Sequence, residues 1–89
     1  MRNFKNDGMY FRLQVKALVT DFLQSTEECS PQGEGLKQAD IFRACGLDWG
    51  DQENATSSQQ HFWLVGLLRV LEKEGLVQRN MVTKKWRLK

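Results

Sequence analysis

The feature that most constrains this chain is a change of hydrophobic period at Gly75. Upstream, over residues 57–74, apolar side chains recur at helical spacing. Leu64, Leu68 and Leu71 form one stripe with Val65 beside it, and Trp63, Leu67 and Val70 form another. A helix that is apolar on most sides is buried on more than one face, so this segment belongs at the centre of the domain. Ser57 and Gln60 fit a capping box at its start, and Gly75 fits a C-terminal cap. Downstream the period falls to two. Residues 76–79 read as a short strand, 80–82 as a turn and 83–89 as a second strand. Trp86 and Leu88 share one face of that strand, and Lys85, Arg87 and Lys89 share the other.

Two shorter helices precede this unit. Over residues 9–24, Phe11, Val15, Leu18 and Phe22 fall on one face of a 3.6-residue period, widened by Val19 and Leu23. Residues 25–35 form an acidic loop with a turn at Ser30-Pro31-Gln32-Gly33. A second helix spans residues 37–45, with Ala39, Ile41, Phe42 and Cys45 inward, Gly46 as its cap and Leu36 pointing to the core just before it. Residues 47–56 form a second acidic loop. Residues 1–8, with the turn signal Asn6-Asp7-Gly8, read as a flexible leader, and residues 9–89 as the domain. The expected core is Phe11, Val15, Leu18, Phe22, Ile41, Phe42, Leu64, Leu68, Leu71, Leu76 and Trp86. The expected fold class is mainly α with a small β-hairpin.

Composition excludes several function classes. No apolar run approaches the length of a membrane span, and residues 1–10 contain no signal-peptide core. One histidine and two cysteines do not make the usual zinc sites. Cys29 and Cys45 read as free thiols of a reducing compartment, Cys45 as a small core residue and Cys29 in a polar loop. A chain of 89 residues has little room for both a core and a deep catalytic cleft. We therefore expect no enzyme, no cofactor, no metal and no small-molecule substrate. The net charge of +2 hides an asymmetry: residues 21–54 carry eight acids against two bases, whereas residues 75–89 carry five bases and no acid. A basic end on a near-neutral domain points to a polyanion or an acidic protein surface.

The order helix, loop, helix, loop, long helix, hairpin resembles a winged helix-turn-helix domain over residues 9–89. Gly35-Leu36-Lys37-Gln38-Ala39-Asp40-Ile41 looks like the family's entry into its second helix. Leu68-x-x-Leu71-Glu72-x-Glu74-Gly75-Leu76-Val77 looks like the exit of its recognition helix into the wing. Lys84-Lys85-Trp86-Arg87-Leu88 looks like its last strand, with an aromatic returning to the core. The entry and exit are similar to winged helices of RNA polymerase III factor subunits and of meiotic chromosome-axis proteins. The long apolar third helix is similar to the C-terminal winged helix of kleisins.

This resemblance implies a binding module that contacts double-stranded DNA through the third helix and the wing. It places Gln59, Gln60, Trp63, Arg69 and Lys73 on the outward face of that helix, and Arg79, Lys84, Lys85 and Arg87 on the wing. Glutamine amides suit base edges, and lysines and arginines on a hairpin suit phosphates. Three features depart from a DNA reader: the acids Asp48, Asp51 and Glu53 before the third helix, its few bases, and Phe62 and Trp63 where polar readers are usual. These favour the alternative of a protein-docking module within a chromosome-associated or transcription complex, with Phe62 or Trp63 on the surface. Position 69 is Arg and Lys84-Lys85 stand in the wing, so the tyrosine and prolines of left-handed-DNA readers are missing. The expected location is the nucleus in a eukaryote and the cytoplasm otherwise, with no secretion and no membrane partner.

Overall fold

The computed structural model describes residues 1–48 and 57–89, and over 57–64 the helical backbone alone. Helix α1 spans Phe4–Ser25, a 3-10 turn spans Glu27–Cys29, α2 spans Gln38–Ala44 and α3 spans Ser57–Lys73. Strands β1 (Val77–Arg79) and β2 (Trp86–Leu88) follow. The domain is thus mainly helical with a small antiparallel hairpin, an arrangement compatible with a winged helix. None of the described helices is long and apolar enough to cross a membrane.

Each boundary has a local cause. Helix α1 starts five residues earlier than the hydrophobic pattern predicts, and residues 4–8 are helical. Asn3 is its N-cap, and the Asn3 side chain accepts a hydrogen bond from the Asn6 amide at 3.0 Å. Asp7 lies in the first turn, where the helix dipole favours an acid. The Asn6-Asp7-Gly8 turn signal is therefore overridden by a cap. The two glycine stops are where the sequence places them. Gly46 (φ +70°) follows α2 and Gly75 (φ +81°) follows α3. In each case the next amide reaches back across the last turn, Leu47 N–H to Phe42 O at 2.8 Å and Leu76 N–H to Leu71 O at 3.0 Å.

In the hairpin, Val77 pairs with Leu88, Gln78 with Arg87 and Arg79 with Trp86. Leu36 adds a third, one-residue strand beside β2. Its amide donates to Trp86 O at 2.9 Å and its carbonyl accepts from Trp86 N–H at 2.7 Å. The core beneath comprises Val19, Leu23, Cys29, Ile41, Phe42, Leu68, Leu71, Val77 and Trp86. Val15, Phe22, Leu36, Cys45, Leu47, Leu67 and Leu88 pack on its edge.

Five of the expected core residues are fully buried: Ile41, Phe42, Leu68, Leu71 and Trp86. Val15 and Phe22 are half-buried. Leu64 lies outside the residues whose side chains are described. Phe11 and Leu18 are corrections, because they are 55% and 45% exposed, and α1 turns Val19 and Leu23 inward instead. The helix carries two apolar stripes about 80–100° apart, and the packing against the rest of the domain selects the second. Leu76 is also exposed: it occupies the cap after α3, and the parity of β1 gives the core position to Val77. Cys29 is fully buried, since the 3-10 turn carries it in from its polar neighbours, whereas Cys45 is half-buried.

Leu68→Ala is expected to cost about 2–5 kcal/mol in chemical denaturation. Phe11→Ala should cost under about 0.5 kcal/mol despite its larger side chain, because the position is on the surface. Burial pushes the Cys29 thiol above its ordinary pKa, the Glu28 carboxylate adds to this, and a backbone hydrogen bond with Leu36 offsets part of it. The folded thiol thus keeps its proton to higher pH than the unfolded one. Its contribution to stability is whole below the unfolded thiol's range, near ~8.5, and is lost as pH rises through the folded value. Denaturation midpoints measured from neutral to alkaline pH should fall more steeply for the native sequence than for Cys29→Ala.

Candidate nucleic-acid interface

The turn of the hairpin is held by backbone and side-chain hydrogen bonds. Asn80 N–H donates to Lys85 O at 2.8 Å, and Lys84 N–H donates to Asn80 O at 2.7 Å. The Asn80 side-chain oxygen accepts from the amides of Val82 (2.8 Å) and Thr83 (3.0 Å), and Thr83 Oγ1 accepts from the Lys85 amide at 3.3 Å. An asparagine that closes its own turn in this way is a local device legible in sequence. The return to β2 passes through Lys84 at φ +64°, the one non-glycine residue with positive φ among the described residues.

The nine predicted contact residues separate into three groups. Gln59, Gln60 and Trp63 lie on the N-terminal half of α3, and their side chains are outside those described, as is that of Phe62. Lys73 and Lys84 are exposed, and Lys85 is half-buried with its ammonium 3.9 Å from the Glu34 carboxylate. Lys89, also exposed, extends the same basic end.

The three arginines are engaged by the fold. The Arg69 guanidinium lies 5.3 Å from the centre of the Trp86 ring and donates to Glu72 at 3.1 Å. Arg79 does not join the outward basic face. It is paired with Trp86 across the hairpin, so it points to the inner side, where its guanidinium lies 5.5 Å from the same ring. Its Nε is buried with no hydrogen-bond partner, and so is Trp86 Nε1. Arg87 does face outward, yet its guanidinium curls back to donate to Gly33 O at 2.9 Å. The strand alternation predicts the position of Arg79, because Arg79 shares the parity of Val77.

Sequence reasoning missed two apolar features. Met81 and Val82 form the tip of the hairpin and are 69% and 90% exposed. Between α1 and α3 runs a groove of about 470 Å³, floored by Leu13, Val15, Gly66, Leu67 and Val70, with Arg12 and Lys16 at its rim. Lys16 is tied to Glu74 at 2.7 Å. Helical spacing is ambiguous here, since a residue that lines a groove has the same period as one that fills a core.

No protein-family model, no curated protein and no solved structure matches the chain.

A left-handed conformation costs a residue with a Cβ roughly 1–2 kcal/mol, and glycine adopts it freely. Lys84→Gly is therefore expected to stabilise the domain by up to about 1 kcal/mol, read as a raised denaturation midpoint, while removing one exposed cation.

Proposed function

We propose that the domain is a non-enzymatic winged-helix module that binds double-stranded DNA, with α3 toward the major groove and the hairpin on phosphates. The observation that carries this reading is the set of exposed cations Lys73, Lys84 and Lys89, with Lys85 beside them. Three of these four stand on or beside the hairpin, whose turn is closed by Asn80. Residues 75–89 carry no acid, and Glu34, 3.9 Å from Lys85, is the carboxylate that competes with phosphate there. Arg69 and Arg79 serve as positioning residues: they hold Trp86, and with it β2, against α3. In a eukaryotic cell this reading puts the protein in the nucleus, on chromosomal DNA or in a transcription assembly.

The number of available lysines sets the scale. Two to four neutralised phosphates give a slope of log affinity against log salt of about −2 to −4. Replacing Lys84 and Lys85 together by Ala should flatten that slope by roughly one to two units and weaken binding to all sequences alike. Replacing Gln59 and Gln60 should alter the preference among sequences and leave the slope nearly unchanged. Duplex titrations at two salt concentrations, followed by amide NMR shifts, make both measurements. Absence of DNA-induced shifts over residues 79–89 at low salt would remove the nucleic-acid reading. The second reading is protein docking, which the apolar groove between α1 and α3 and the exposed apolar residues of α1 favour.

A further inference from the structure

Helix α1 carries an apolar stripe that the domain leaves uncovered. Phe4, Phe11 and Leu18 recur every seven residues and are 79%, 55% and 45% exposed. Gly8, Val15 and Phe22 fall between them, and Val15 and Phe22 lend only one flank to the core. The six positions are spaced four, three, four, three and four residues apart, the alternation that keeps one seam of a helix against a partner helix. Over residues 4–14 every residue is exposed except Asp7, which is half-buried. The radius of gyration, 13.8 Å, exceeds the roughly 12 Å of a compact chain of this length.

We infer that this stripe is the contact surface for a second copy of the chain, with the two α1 helices antiparallel. Two features select that occupant. The spacing reads the same in both directions, so a reversed copy keeps register. Phe4 then lies level with Phe22 of the other copy, Gly8 with Leu18 and Phe11 with Val15, large against small in the last two layers. Charge selects the orientation. Residues 1–16 carry Arg2, Lys5, Arg12 and Lys16 against Asp7, a net +3. Residues 17–28 carry Asp21, Glu27 and Glu28 with no base, a net −3. In this register the acidic end of each copy, from Asp21 to Glu28, lies beside Arg2 and Lys5 of the other, with Arg12 and Lys16 of both copies near the middle, whereas a parallel pair stacks every charge on its like.

The helix is about 33 Å long, and its ten apolar seam residues in the two copies bury about 1,000 Å², at the lower edge of specific interfaces. Association is therefore expected to be weak and concentration-dependent. It uses none of Lys73, Lys84, Lys85 and Lys89, so it stands or falls apart from the DNA reading.

Sedimentation equilibrium of the native chain from about 10 µM to about 1 mM, a range suited to an interface of this size, should show a mass rising from 10.4 kDa toward twice that value. Phe11→Asp and Leu18→Asp change surface residues, should keep the native circular dichroism, and should raise the dissociation constant at least about tenfold by placing a charge in the seam. Leu13→Asp, about 200° round the helix from Phe11, should associate like the native chain. Orientation is read by mixing Gly8→Cys with Leu18→Cys, each in a Cys45→Ser background. Antiparallel pairing gives mainly the mixed disulfide. A constant mass of 10.4 kDa at all concentrations, equal loss with Leu13→Asp, or only like-with-like disulfides would overturn the proposal.

Discussion

The structure depends on what surrounds Trp86. Its ring is fully buried, with the guanidinium groups of Arg69 from α3 and Arg79 from β1 at 5.3 and 5.5 Å from its centre. Its backbone exchanges two hydrogen bonds with Leu36, which joins the segment between the 3-10 turn and α2 to the hairpin. Gly35 precedes Leu36 at φ +84°, and a Cβ there would come within 2.5 Å of the Trp86 carbonyl oxygen. Three separate parts of the chain thus take their position from one residue of β2. Leaving Arg79 Nε and Trp86 Nε1 buried without partners costs roughly 1–3 kcal/mol each, and a desolvated guanidinium over an indole face returns about 2 kcal/mol. The half-buried Arg79 therefore offsets part of that penalty through the ring it covers, and the exposed Arg69 adds a smaller contribution.

That arrangement explains which parts of the fold could be read from sequence. Gly46, Gly75 and the alternation about Trp86 are local signals, and each sits where the chain places it. The start of α1 was not legible from Asn6-Asp7-Gly8, because a cap at Asn3 outweighs a glycine inside the first turns. The inward face of α1 was not legible either. Val19 and Leu23 compete with Phe11, Val15, Leu18 and Phe22 on equal hydrophobic terms, and only contact with α2, the 3-10 turn and β2 decides between them. Burial of Cys29 depends on the same contacts.

The candidate site shows how a charge count differs from a binding surface. Five bases and no acid over residues 75–89 describe a field, not a set of contacts. A guanidinium is planar and weakly hydrated, so it packs on an aromatic face or reaches a backbone carbonyl with little loss, as Arg79 and Arg87 do here. An ammonium is compact and strongly hydrated and stays in water, as Lys73, Lys84 and Lys89 do. The division of labour follows from that chemistry: arginines fix the hairpin, and lysines present the charge. A reading that weighs the two alike overstates the number of cations left open to solvent.

Helix α1 poses the opposite problem, apolar surface without an obvious use. Single exposed apolar residues are ordinary in a small domain, which cannot cover them all. Regular recurrence at seven residues is different, because scattered residues do not keep register over three turns and more. The same helix feeds Val19 and Leu23 to the core, so the uncovered stripe is held in helical form by folding itself. The conformational entropy of ordering that surface is lost before any partner arrives. A weakly adhesive surface becomes effective under that condition, since even a contact of modest area keeps most of its hydrophobic gain.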